Sequence, residues 1–314
     1  MEILQKFFPS VIIVILLSSC EEKVDLKKRS MECFKHGLYY YQGTQESINA
    51  FAKAIELDPT HAESWRELSI PFLKRGMPHL WKKYIDKAVE LDPIAWQGYR
   101  GYNYLWFYRD YKKAIADFDA TDTLTPKFID APQGHSVNYW RGIAYLGLKD
   151  YKNCIAYFDL HIQIEIDELG EDWVELEAFL YRGIAHYEIE KDKEYLSKTN
   201  QSKYELALKD FNTILKYFPN FADAKYYKAL ILFDECESLQ LRINFEQQTR
   251  SSNHLAKILI AQRQKKQQKA LKIIEDAIDN FKNGYSNQRP YVETMRQLYL
   301  EDYVGLKAML EAME

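Results

Sequence analysis

The sequence predicts an all-α fold built as a solenoid of helix pairs, and three observations predict it. Short motifs recur along the 314 residues at a near-constant interval. Within each copy, small residues and aromatics fall at helical spacing. Gly and Pro are scarce, at 12 and 9 residues, while 47% of the chain is hydrophobic, as suits helices joined by short turns. A motif repeated every 20 to 50 residues or so marks a chain whose units cannot bury their apolar faces alone and must stack to make a core.

The recurrence is plainest around three "RG" pairs. "YRGYNYLWF" begins at Tyr99, "YWRGIAYLG" at Tyr139 and "YRGIAHYE" at Tyr181, so that Arg100, Arg141 and Arg182 follow one another at equal intervals. The period sharpens on the second segment of each copy: "FAKAIELDP" ends at Pro59 and "IDKAVELDP" at Pro93. Ahead of Pro93, "WRELSIPFLKRG" supplies Trp65, Leu68, Ser69, Phe72 and Gly76. This pattern, large, large, small, aromatic and Gly on a first helix, then Ala and Pro on a second, resembles the tetratricopeptide repeat, with Ser69 in the usual Gly place. The resemblance implies a right-handed α-solenoid of helix-turn-helix repeats.

Taken in order, a first repeat carries Gly37, Tyr40, Phe51 and Pro59, and a second runs from Trp65 to Pro93. A third places Gly101, Tyr104, Ala114, Phe118 and Pro126; a fourth Gly142, Tyr145, Cys154 and Phe158; a fifth Gly183, His186, Ala207, Phe211 and Pro219. A sixth begins at "AKYYKALILF" and resumes at "QQKALKIIEDAIDNF". About six repeats thus occupy residues 31–286. The small residue lets the partner helix approach, and the aromatics fill the space around that contact. "ELDP" ends a second helix because Pro disfavours helical geometry in the residue before it. Pro71 falls inside a first helix and predicts a bend there. Insertions lie near 190–203 and 234–268, the latter of helical composition. Val292, Met295, Leu298, Tyr299, Leu306, Met309 and Leu310 form an apolar stripe that predicts a capping helix over 287–314.

The N-terminus is of another kind. "FFPSVIIVILLSSC" is apolar but shorter than the roughly 20 residues a spanning helix needs. It reads as a signal peptide over 1–19, and Leu17, Ser18, Ser19 and Cys20 resemble the lipobox of bacterial lipoproteins. That resemblance implies cleavage before Cys20, acylation of its thiol by a fatty acid such as palmitate, and a short tether over 20–30. The expected location is the bacterial cell envelope, at the outer membrane rather than the inner. The remaining cysteines, Cys33, Cys154 and Cys236, form no paired motif, and Cys154 reads as core.

Net charge of -4 gives no reason to expect nucleic acid as a partner. The acidic run at 165–177 and the basic run at 263–272 read as solvated helix faces. No catalytic or nucleotide-binding motif occurs, so no enzyme activity, cofactor or metal is expected. The seven His are scattered, with His186 and His161 at repeat core positions and His135 near a helix start. Arg100, Arg141 and Arg182 admit two readings, a ladder for anions or stems packed along neighbouring helices, and the second is preferred.

In tetratricopeptide arrays the first helices line a concave groove. The resemblance places Gly98, Tyr102, Leu105 and Trp106 there, with Tyr139, Ile143 and Leu146 and with Leu180, Ile184 and Tyr187. The expected site is therefore Tyr102, Leu105, Trp106, Tyr139, Ile143, Leu180, Ile184 and Tyr187, an aromatic and aliphatic face suited to a protein or peptide partner. The competing possibility is that tight superhelical curvature, or the protein's own C-terminal segment, already fills the groove. The predicted function is a non-catalytic envelope scaffold that is lipid-anchored and binds a protein; the alternative is a periplasmic or surface binder of a small ligand such as a glycan.

Overall fold

A computed structural model of the chain describes residues 8–191, 202–249, 253–290 and 292–313, with side chains from residue 23 onward except residue 253. Among these, every regular element is a helix, as predicted. The chain divides into two compact units, Met1–Gly134 and His135–Glu314.

The first unit contains three helix pairs. α1 (Phe8–Gly37) packs on α2 (Gln45–Leu57), α3 (Ala62–Lys74) on α4 (Pro78–Leu91), and α5 (Pro93–Trp106) on α6 (Tyr111–Leu124). Residues 20–30, expected to be a tether, lie inside α1, which runs on through them to Gly37. The side chain of Cys20 is outside the described residues. None of the described helices is long and apolar enough to cross a membrane.

The second unit repeats the plan with α7 (Val137–Gly147) on α8 (Tyr151–Glu168), α9 (Leu176–Lys191) on α10 (Glu205–Tyr217), and α11 (Ala222–Thr249) on α12 (Asn253–Lys282). The predicted insertion at 234–268 is an elongation of this last pair, whose helices reach 28 and 30 residues against 13 or 14 in α2 to α6. Most of the insertion at 190–203 lies outside the described residues.

The glycine argument holds at atomic scale. A Cβ added at Gly142 would stand 2.8 Å from the Phe158 ring, at Gly101 2.8 Å from Phe118, and at Gly183 2.8 Å from Phe211. Phe118, Phe158 and Phe211 are all fully buried. Each ring fills the dent where a side chain is missing, and this pins the second helix of a pair to the first.

Turns are built as consistently. Gly76, Arg109 and Lys149 occupy the same position after a first helix, all with positive φ, and the Met77 and Asp150 amides donate back to the Phe72 and Tyr145 carbonyls at 2.8 and 2.9 Å. That closing bond ends the helix and turns the chain. Asp110 and Asp150 then start the second helices by accepting from the Lys113 and Asn153 amides. "ELDP" has a double role at Asp92, which closes α4 and caps α5, with Pro93 as the first residue of that helix. Pro71 sits inside α3, which ends three residues later.

The C-terminal cap is shorter than predicted. Residues 287–290 and 292–299 are not helical, and α13 (Leu300–Glu311) begins where the Tyr299 amide donates to the Asp302 carboxylate at 2.7 Å. α13 packs on α12 and α11 through Tyr303, Leu306 and Leu310, none of which has any exposed surface. It therefore covers the last pair, as a terminal element of a repeat array must.

Candidate binding groove

In the second unit the first helices α7, α9 and α11 supply the face that the repeat pattern assigns to binding. The structure buries what the sequence places there. Tyr139, Ile143, Leu180 and Ile184 are at most 2% exposed, and Tyr187 is 6% exposed. Tyr139 is enclosed by the rings of His135, Trp140, Phe158 and His161, with centroids 4.7 to 5.9 Å away. Tyr187 stacks on Tyr204, and both hydroxyls donate to one Asp234 oxygen at 2.9 Å. In the first unit Leu105 and Trp106 are likewise buried, and Tyr102 alone of the eight expected residues keeps partial exposure. Seven of the eight are thus packed into the core, because the neighbouring helices approach closely.

A chain segment lies against α9 beside these residues, bonded to Glu177, Tyr181 and Glu188. The described residues of 285–299, between α12 and α13, form a strap along α9. At one end the Ala222 amide donates to the Tyr285 carbonyl at 2.8 Å and the Asn287 amide to Asp223 at 2.9 Å. The Asn287 side chain donates to the Tyr181 hydroxyl at 3.1 Å, and Arg289 to Glu177 at 3.2 Å. At the other end Arg296 donates to the Tyr151 hydroxyl at 3.1 Å and lies 3.5 Å from Glu188. Asn287, Thr294, Met295 and Leu298 are buried, and the Thr294 hydroxyl folds the strap on itself by donating to the Asn287 carbonyl at 2.7 Å. Burial pushes the Asp223 carboxyl up to about 6, against the lowering effect of the Asn287 amide.

The "RG" arginines are packed, not arrayed for anions. Arg100 grips Asp117 of its own pair with Nε and Nη2 at 2.9 and 2.7 Å, and reaches Asp86 of the preceding pair with Nη1 at 2.8 Å. Arg182 does the same with Asp210 at 3.0 and 2.6 Å and with Asp159 at 2.8 Å. Burial works against the Arg182 charge, yet the two carboxylates more than offset it and hold the guanidinium above its usual value. In the fourth repeat the position of Asp117 and Asp210 is Tyr157, and Arg141 lies over that ring at 5.4 Å. Each arginine thus ties a helix to its pair, and two of them also tie it to the repeat before.

Two histidines that looked scattered meet on one carboxylate. Glu175 accepts from His135 through Oε1 at 2.6 Å and from His161 through Oε2 at 2.9 Å, and the second His161 nitrogen is 3.1 Å from the Ser136 hydroxyl. Burial alone would raise Glu175, but the two imidazoles outweigh it and hold its carboxyl well below the usual range. With both ring nitrogens of His161 engaged, the cluster fastens the loop before α9 to the start of α7. Among the described residues no group of three or more His, Cys, Asp or Glu is arranged to hold a metal ion. Sequence reasoning missed this cluster because Glu175 lies in a connecting segment without repeat register.

The family model of the tetratricopeptide repeat matches residues 135–165, and a second model of the same repeat matches residues 197–235. No curated protein matches the sequence. Among solved structures, PilF of Pseudomonas aeruginosa is similar at 15% identity, covering 76% of this chain and 99% of its own, with a TM-score of 0.48. A tetratricopeptide repeat protein from Parabacteroides merdae is similar at 13% identity over 93% of this chain and 99% of its own, with a TM-score of 0.47. YrrB, described as a TPR protein with an unusual peptide-binding site, is similar at 19% identity over 74% and 93%, with a TM-score of 0.46.

Proposed function

Since the chain is a tetratricopeptide-repeat protein, a fold consistent with a protein-interaction scaffold, we propose that it serves as a non-catalytic scaffold of the bacterial envelope, held to the membrane by lipid on Cys20 and binding a protein or peptide. The observation that carries the binding half is the strap. Side chains of α9 and α11 already hold an irregular chain segment through Asn287, Arg289 and Arg296. A face that positions one such segment has the donors, acceptors and shape to position another.

The membrane half rests on the apolar run that ends at Leu17 to Cys20. A single acyl chain gives reversible attachment, and two give a stable anchor without any spanning helix. Cys20→Ala is expected to abolish incorporation of a labelled fatty acid and move the protein to the soluble fraction. Unchanged membrane association in the variant would remove the lipid anchor from the account. Crosslinking in native membranes, followed by identification of the attached protein, tests the scaffold itself; recovery of no protein through either unit would contradict it.

A further inference from the structure

We propose that the strap-bearing face of the second unit is a reader of irregular, arginine-bearing segments, and that residues 285–299 are its built-in competitor. This rests on the scaffold reading and specifies the partner. The chemistry of the face is acidic and phenolic: Glu177 and Glu188 on α9 and Asp223 on α11 supply carboxylates, and Tyr151 and Tyr181 supply hydroxyls. The strap answers with Arg289, Arg296 and the Asn287 amides, so charge and hydrogen bonding are complementary along its length.

Spacing selects the conformation of the occupant. Glu177 and Glu188 are eleven residues apart on a helix, which at about 1.5 Å per residue places them about 16 Å apart along the axis. Arg289 and Arg296 are seven residues apart. A helical segment of that register rises only about 10 Å, whereas an extended one reaches up to about 23 Å. The face therefore matches two arginines on a non-helical chain and mismatches the same two on a helix.

The strap is also held in a way that permits exchange. Arg289 and Arg296 are 35% and 31% exposed at their side chains, and their partners Glu177 and Glu188 are 24% and 11% exposed. Ion pairs whose arginine is a third exposed are partly screened by water and weaker than fully buried ones. Tethering at both ends by α12 and α13 gives the strap a high effective concentration, and the buried Asn287, Thr294, Met295 and Leu298 add to its hold. A partner segment with the same chemistry competes against both.

The test is a titration of full-length protein into a fluorescein-labelled synthetic peptide of residues 285–299, read by anisotropy. Wild type is expected to bind weakly, because the strap occupies the face. The R289A/R296A variant, its strap loosened, is expected to bind at least tenfold tighter, with affinity falling as salt is raised. Adding Glu177→Gln and Glu188→Gln to that variant should abolish the gain. If the double variant loses its helical circular dichroism, R296A alone, which keeps the Asn287 and Arg289 anchors, enters the same titration. No gain over wild type, equal binding of a peptide of scrambled order, or dimerisation of the variant through exchanged straps would each overturn the proposal. A partner crosslinked to the first unit, with no peptide binding to the second, would overturn it while leaving the scaffold reading intact.

Discussion

Replacing Tyr139 with alanine is expected to destabilise the second unit by about 3 to 5 kcal/mol, the usual cost of deleting a fully buried aromatic. Tyr139 has no exposed surface and packs against His135, Trp140, Phe158 and His161. Its buried hydroxyl makes no hydrogen bond within the described structure. Tyr139→Phe removes only that unpaired group, so it should be neutral or stabilising, because an unsatisfied buried polar atom costs about 1 to 3 kcal/mol. The two variants together discriminate: a core position tolerates Phe and rejects Ala, whereas a ligand-facing position accepts both without loss of stability. Denaturation midpoints for the pair decide the matter, and a loss below about 1 kcal/mol for Tyr139→Ala would return the residue to the groove.

Arg182→Ala should have an effect of similar size for a different reason. The Asp210 side chain is 3% exposed and takes two bonds from Arg182, whose own side chain is 14% exposed. Removing the guanidinium leaves a buried carboxylate without its counter-charge, which typically costs about 3 to 5 kcal/mol. The pair itself is worth far less, since its desolvation offsets its attraction. Arg182→Met combined with Asp210→Leu should therefore recover most of the stability lost in the single variant. Chemical denaturation of the single and paired variants checks this, and an Arg182→Ala protein as stable as wild type would mean that the arginine is free to serve a ligand.

The repeat was legible because its determinants are local and steric. Gly142 and Phe158 are only sixteen residues apart, and a missing side chain against a ring leaves the same mark in every copy. The arginine staples were half legible. Each "RG" was visible, and so were the Asp residues before Phe118 and Phe211, but Arg182 and Asp210 are separated by an insertion that hides their common register. Tyr157 in place of Asp breaks the pattern in the fourth repeat. The strap was misread for a physical reason: Met295 and Leu298 bury one side of an irregular segment at a spacing that a helix would also use. What argued against a helix was in the sequence as well. Pro290 cannot donate to a helical ladder, and Asn287 and Thr294 bond readily to nearby backbone.

Seven of the eight expected groove residues are buried, because repeat register fixes helical phase but not the distance to the next element. Tyr204, which caps the second helix of its own pair, and Asp234 from the next pair close over Tyr187. Such contacts are tertiary and leave no trace at repeat spacing.

The central claim is that the second unit's binding face is occupied by the protein's own chain, and amide hydrogen exchange of residues 285–299 tests it most directly. The Asn287 amide, buried and bonded to Asp223, is predicted to exchange orders of magnitude more slowly than an unstructured chain, with protection falling on addition of excess competing peptide. Exchange at the unprotected rate in the unliganded protein would contradict the claim and leave the face open.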